Sequence, residues 1–382
     1  MVLGIDALSL SELGGFNHII KILSYTDVIK KYSIKKIIIW TNVKLAKVIN
    51  SNEIIEVVII ENDTLLSRTI WQRYRFGKLA REECDILFAP GGIFINDFRP
   101  YVTMFQNMQV FDKNARKLEG ISLSRIKFFL LRYFQGYSFH NANGLIFLSD
   151  YAKDYLFDNY KDVIGSSENI NIPIGVDKSD FEISKLTYIQ NNTSIPLKIL
   201  YVSTVRSYKH QWNLIDAFAL IIKKSYNLEL HIVGGGVDKF ISKMQKAINR
   251  ANNYGKKVFY HGNVNRDNIH EFYKNSDIFA YASSCENAPS IILEAMSHGL
   301  PVISSKLRPM TDIMGESALY FDHDDIDSIA LAMEHMINNL ELRKKISREL
   351  YKKSLKYTWK KCADETFAFF RYTADNYYKQ LG

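Results

Sequence analysis

A chain of 382 residues exceeds what one hydrophobic core usually serves, so two domains of roughly 150 to 200 residues each are expected. It is 47% hydrophobic and 24% charged, the composition of a soluble globular protein. It holds no apolar run near the roughly 20 residues a spanning helix needs, so no membrane span is expected. The formal charge of +8 points toward an anionic partner such as nucleic acid, acidic lipid or a phosphorylated substrate. Cys84, Cys285 and Cys362 are far apart and form no Cys-x-x-Cys pair, which argues against a disulfide framework and against a zinc site.

The opening "MVLGIDALSL" lacks the basic segment and long apolar stretch of a signal peptide. It reads as a first strand, and the chain is expected in the cytoplasm. "VLGIDAL", "KKIIIW", "IEVVII", "DILFAP" and "GLIFLS" are short, β-branched and separated by helix-like or polar segments, the pattern of buried parallel strands in an α/β domain. Two basic stretches fall in this half, "SRTIWQRYRFGKLAR" (67 to 81) and "NARKLEGISLSRIKFFLLRYFQGYSF" (114 to 139). In the second, Arg125, Lys127 and Arg132 interleave with apolar and aromatic residues, which suits either a helix facing anionic lipid headgroups or a core helix with a solvated polar face.

The polar stretch 181–196 reads as a linker between a first domain, 1–180, and a second, 197–358. "LKILYVS", "LELHIVGGG", "KVFYHG" and "DIFAYAS" then alternate with helical segments, so a second parallel sheet is expected. Two doubly wound domains facing each other would bind ligands at the carboxyl ends of their strands, in the cleft between them. The aromatic tail, 359–382, reads as a helix packing back toward the first domain.

The chemistry concentrates in "SSCENAPSIILEAMSHGLPVISS" (283 to 305). Pro289 and Ser290 suit a helix start and Gly299-Leu-Pro301 a helix stop, so Glu294 lies one turn in and Glu286 on the loop ahead. A helix N-terminus offers free N–H groups and partial positive charge, a receptor for phosphate. Glu294 is placed to accept from vicinal hydroxyls such as those of a ribose, and Glu286 from hydroxyls on the other side of the phosphate. The pattern suggests a ligand with phosphate in the middle and a sugar at each end. The alternative is that both glutamates are solvated surface carboxylates.

"DIFAYASSCENAPSIILEAMSHGLPVISS" resembles the Glu, seven residues, Glu motif of retaining nucleotide-sugar glycosyltransferases of family 4. "LYVSTVRSYKHQWNLIDAF", "LHIVGGG", "VFYHGNVNRDNIHEFYKNSDIF", "ANGLIFLSDYAKDYL", "NIPIGVDKSDF" and "SELGGFNHII" resemble further family segments, so nearly the whole chain is covered. The resemblance implies the GT-B fold, two doubly wound Rossmann-like domains facing across a cleft. It implies transfer of a sugar from a nucleotide-diphosphate donor, with retention, no cofactor and no metal, to a glycan acceptor. Residue by residue, it assigns Glu294 to the nucleotide ribose, Glu286 to donor-sugar hydroxyls and Lys209 to the diphosphate, with Lys209 and Glu286 as the catalytic pair. Arg206 is the cation nearest the family's arginine position, where Thr204 stands. Ser290 and Ile291 are the phosphate N–H donors, Gly235 the turn near the diphosphate, Val264 a contact to the base, and Gly14 and Gly15 the loop approaching the donor from the first domain. Gln106 or Asn107 stands where the family often has an acceptor-facing histidine. Neither is a general base near neutral pH.

The basic aromatic first half favours a lipid-linked acceptor, a surface polysaccharide such as O-antigen or capsule as the product, and peripheral attachment through Arg125, Lys127 and Arg132 to the inner face of the cytoplasmic membrane. "DHDD" (322 to 325) is read as a helix cap rather than a metal site. His298 complements a helix C-terminus. Two other function classes compete. One is a nucleotide-sugar epimerase or hydrolase of the same fold. The other is a non-enzymatic basic protein for membrane or nucleic acid, which is disfavoured because no nucleic-acid motif is visible.

Overall fold

The structure is a computed structural model that describes residues 1–10, 14–61, 70–119, 123–177, 195–224 and 226–382, without the side chains of 123–125, 266 and 267. All but the last two residues of the expected linker, 181–196, lie outside that range. Two compact units emerge, one of Met1–Phe111, Ile121–Gly175 and Trp359–Gly382, the other of Asp112–Gly120 and Val176–Thr358. Neither is the uninterrupted segment that division into 1–180 and 197–358 drew. In the second unit the helix Lys113–Leu118 leads to Glu119, whose Oε1 accepts from Ser207 Oγ at 2.7 Å.

Among the described residues the first unit holds seven parallel strands: β1 (Val2–Asp6), β2 (Lys36–Thr41), β3 (Ile55–Ile59), β4 (Ile86–Ala89), β5 (Tyr101–Phe105), β6 (Gly144–Phe147) and β7 (Glu168–Asn171). Their order is β3-β2-β1-β4-β5-β6-β7, with Ile5 of β1 facing Ile39 on one side and Phe88 on the other. β4, β5 and β6 are buried along their whole length, as strands covered on both faces are. Trp40, Phe76, Phe94 and Tyr101 pack into one core cluster beside them. The helix Trp359–Leu381 completes this unit, burying Trp359, Cys362, Phe367 and Phe370.

Among the described residues the second unit holds six parallel strands: β8 (Leu197–Val202), β9 (Leu228–Val233), β10 (Val258–Tyr260), β11 (Ile278–Tyr281), β12 (Val302–Ser305) and β13 (Leu319–Phe321). Their order is β10-β9-β8-β11-β12-β13. The chain runs outward from β8 in one direction, then returns to β11 on its other side and continues in the opposite direction. The crevice at the carboxyl ends of β8 and β11 is thus the switch point at which such a sheet binds ligands.

Candidate active site

Two loops leave that switch point. After β8 the chain passes Arg206 into a 3-10 turn, Ser207–Lys209. After β11 it runs through Ala282 to Pro289 before the helix Ser290–Ser297 begins. Tyr201, buried at the end of β8, donates its hydroxyl to the Lys209 carbonyl at 2.5 Å. His210 follows in the left-handed region, φ 49 and ψ 33, and turns the chain into the next helix. Lys209 is therefore held by its backbone on both sides, and its long side chain is directed along a buried path.

That side chain meets the second loop. Lys209 Nζ donates to Tyr281 Oη at 2.7 Å and forms an ion pair with Glu286 Oε1. The Tyr281 hydroxyl donates to Glu286 Oε1 at 2.5 Å, and Ser283 Oγ donates to the same oxygen. Among the described residues every such contact falls on Oε1, which leaves Oε2 the oxygen open to a ligand hydroxyl. Lys209 and Glu286 are nearly enclosed, with side chains 9% and 12% exposed. Burial, with the Glu286 charge beside it, pushes the Tyr281 hydroxyl far above its usual range, so Tyr281 is a neutral donor at every working pH. Burial also raises the thiol of Cys285, on the same loop, well above its usual range, so it is no nucleophile.

Pro289 caps the helix Ser290–Ser297 by position, and Ser290 and Ile291 open it, where backbone N–H groups have no intrahelical partner. Glu294 lies one turn in, half-buried, and its Oε2 accepts from the Tyr273 hydroxyl at 3.1 Å. It lines a small recess with Val176, Asp177, Ile269, His270 and His298. His298 is the helix C-cap, and its Nδ1 donates to the Glu294 carbonyl at 2.7 Å, the helix-end role expected of it.

Of the residues singled out from sequence, Lys209 and Glu286 are brought into direct contact. Arg206 is exposed and caps nothing with its side chain. Gly235 donates its N–H to Asn263 Oδ1 at 2.8 Å, and Val264 follows half-buried on the same loop. Gly14 and Gly15 open the helix Gly14–Leu23 of the first unit, where Gln106 and Asn107 follow β5. Gln106 Nε2 reaches Met104 Sδ at 3.2 Å, and Asn107 is exposed. Sequence reasoning passed over Tyr281, Ser283 and Tyr273. Tyr281 and Ser283 both lie inside the "DIFAYAS" pattern (277 to 283), read from sequence only as a strand, which ends at Tyr281.

Residues 189–353, which contain every strand described for the second unit's sheet, match the family described as Glycosyl transferases group 1. That part of the chain is similar to the group 1 glycosyl transferases. The Staphylococcus aureus capsular polysaccharide biosynthesis glycosyltransferase CapM is 22% identical over 316 residues, which cover 77% of this chain and 78% of that one. The chain spans 22%, 44% and 32% of the length of the first three curated relatives it matches. Among solved structures, the sucrose-phosphate synthase of Thermosynechococcus elongatus aligns with a TM-score of 0.74 at 14% identity, over 100% of this chain and 99% of that one. Anabaena HepE in complex with UDP-glucose aligns with a TM-score of 0.69 at 16% identity, over 96% and 98%. The fold of the chain is GT-B, two parallel-sheet Rossmann-like domains.

Within the first unit, the helix Leu123–Asn141 exposes a stripe of Ile126, Phe129, Leu130, Tyr133 and Tyr137, spaced to share one face. Lys127 is exposed beside it. Arg132 is half-buried, its guanidinium 5.6 Å from the Phe129 ring and 5.9 Å from that of Tyr160, so it braces the stripe's aromatic side rather than standing free. The Arg125 side chain lies outside the described residues. No described helix is long and apolar enough to cross a membrane.

Proposed function

We propose that this protein is a retaining, metal-independent glycosyltransferase that moves a sugar from a nucleoside-diphosphate donor to a glycan acceptor carried on a lipid, in assembly of a surface polysaccharide. The observation that carries the reading is the Lys209–Glu286 pair at the β8/β11 switch point, followed by Glu294 one turn into the next helix. In the free enzyme the ammonium and carboxylate neutralise each other. An arriving diphosphate takes Lys209 as its counter-ion, and Glu286 turns its carboxylate to donor-sugar hydroxyls. As the glycosidic bond breaks, negative charge grows on the departing phosphate, and Lys209 stabilises it where little water competes. The N–H groups of Ser290 and Ile291 assist from the helix N-terminus. Glu294 holds the nucleotide ribose. Retention follows if the acceptor hydroxyl attacks on the face that the phosphate leaves, the phosphate itself taking the proton. No histidine base is then required, and Gln106 or Asn107 serves to orient the acceptor.

The donor class is supported by a structural neighbour solved with UDP-glucose, and the acceptor class by a relative named for capsular polysaccharide. The exposed Ile126–Tyr137 stripe with Lys127 beside it supports work at an anionic membrane surface, on its cytoplasmic side. Calorimetric titration of UDP, GDP and dTDP, with and without magnesium, tests the donor site. One nucleotide should bind without magnesium, and Glu294→Ala should weaken it by about tenfold or more, the loss of a charge-assisted hydrogen-bond pair. Failure of all three to bind the wild type would end the donor assignment. Labelled donor that yields free sugar and no labelled glycan would favour a hydrolase instead.

A further inference from the structure

A second cluster of ligating side chains joins His210, next to Lys209, with His323 and Asp324 of the loop after β13, and the transfer reaction does not use it. His210 is buried, its Nε2 2.9 Å from Ser284 Oγ. Its Nδ1 lies 3.6 Å from Asp324 Oδ1, and His323 Nε2 lies 3.3 Å from Asp324 Oδ2. One ligand atom from each of the three side chains falls within 4.8 Å of the others. A tetrahedral site with metal bonds near 2.1 Å sets its ligand atoms about 3.4 Å apart, so a set already within 4.8 Å, with a different Asp324 oxygen near each imidazole, needs only to contract around an ion.

We propose that His210, His323 and Asp324 bind one divalent cation of the zinc class. The donor set decides the class, because two imidazoles and one carboxylate suit zinc and its borderline neighbours, whereas magnesium and calcium prefer oxygen ligands. The surroundings are built for it. Ser284 Oγ is positioned to accept from His210 Nε2–H, leaving Nδ1 as the ligating nitrogen, the outer-shell arrangement that orients metal-bound histidines. Asn213 Nδ2 donates to the His323 carbonyl at 2.8 Å, which tethers the loop to the neighbouring helix Gln211–Ile222, and the Asp324 N–H donates to Asp322 Oδ1 at 3.1 Å within the loop. The cap of the helix Ile326–Asn338 is supplied by Asp325, which accepts from Asp327 and Ser328, so Asp324 is released from the capping role that sequence suggested for this run. His210 and Asp324 also line a cavity of about 280 Å³ with Ser207, Trp212, Phe240 and Lys243, room for a water or small anion in the remaining coordination position. The Lys243 ammonium opposes a cation there, but it is drawn onto the Trp212 ring, 3.7 Å from its centroid, and three carboxylates of the loop, Asp322, Asp324 and Asp325, outnumber it.

Full-length protein stripped with a chelator and titrated with Zn2+ should take up one equivalent, with a raised thermal midpoint, and Mg2+ should do neither. Co2+ in the same site should give the visible absorption of a four-coordinate ion. His323→Ala and Asp324→Asn should each weaken Zn2+ by at least about tenfold, as loss of a ligand does, while His335→Ala should leave it unchanged. Asp324 is a surface side chain, 71% exposed, so its replacement leaves the fold intact. No Zn2+ uptake, or uptake that both ligand variants retain, would overturn the proposal. The titration contains no nucleotide, so its result is independent of the donor-site assignment.

Discussion

Lys209 and Glu286 form a nearly buried ion pair, and the physics of such pairs is asymmetric. Removing one partner leaves a charge without water or counter-ion, at a cost of about 3 kcal/mol or more, whereas removing both costs far less. Lys209→Met and Glu286→Gln should therefore each destabilise the fold substantially, and the double variant should be more stable than the sum of the two predicts. Urea denaturation of the four proteins should give a coupling of about 1 to 3 kcal/mol. Additive losses would mean that solvent or a neighbour already compensates each charge, and the exchange of partners proposed for donor binding would lose its basis. Tyr281 shares the network through both partners, so it belongs to the same coupled set. The two charged members were legible in the sequence through their motif, but Tyr281 and Ser283 were not. A tyrosine at the end of a buried strand looks like core until a lysine arrives from a different strand's loop.

The glycine run after β9 shows what a strand-end turn demands. Gly234 has φ +126, and a Cβ there would lie 2.1 Å from the Ser203 carbonyl oxygen. At Gly236 a Cβ would lie 2.2 Å from the Val205 carbonyl oxygen, whereas at Gly235 the obstacle is the Asn263 side chain, 2.3 Å away. Backbone obstacles cannot swing aside as a side chain can. Gly234→Ala and Gly236→Ala should each cost about 2 kcal/mol or more, and Gly235→Ala about 1 kcal/mol, chiefly the hydrogen bond to Asn263. Thermal unfolding that ranks Gly235→Ala as the worst of the three would refute this account. The run had been read as a turn, and the packing adds why all three positions resist a side chain. Strands were legible where burial on both faces writes an unbroken apolar run, as in "KKIIIW" and "DILFAP". β7, with the sequence Glu168-Asn169-Ile170-Asn171, carries no such signal, because an edge strand is only partly covered. β13 spans only three residues, too few for any periodicity.

The chain's order of use also explains where a sequence reading of its organisation stops. Alternating strands and helices announce two parallel sheets, and the aromatic tail already reads as a last helix packing back toward the first domain, but nothing local tells that Asp112–Gly120 belongs with the second unit. That last helix is docked in part by an unusual contact, His18 edge-on to Trp359 with ring centroids 5.7 Å apart. His18 is 3% exposed, and neither ring nitrogen finds a hydrogen-bond partner among the described residues. Burial lowers its pKa from 6.5 to about 4. In the unfolded chain the ring takes up a proton below about pH 6.5, while the folded chain resists until about pH 4. Stability that is fully present above the unfolded value is therefore lost progressively as pH falls from 6.5 toward 4. Linkage over that shift amounts to about 2 kcal/mol between pH 7 and pH 5. Urea unfolding at those two pH values should show the wild type losing about that much more than His18→Leu, whatever the variant's own stability at neutral pH. Equal losses in the two proteins would mean that the ring is already hydrated or paired in the native state. A larger loss in the wild type, with helix Trp359–Leu381 the first segment to exchange its amide hydrogens, would identify the closing helix as the part that acid releases.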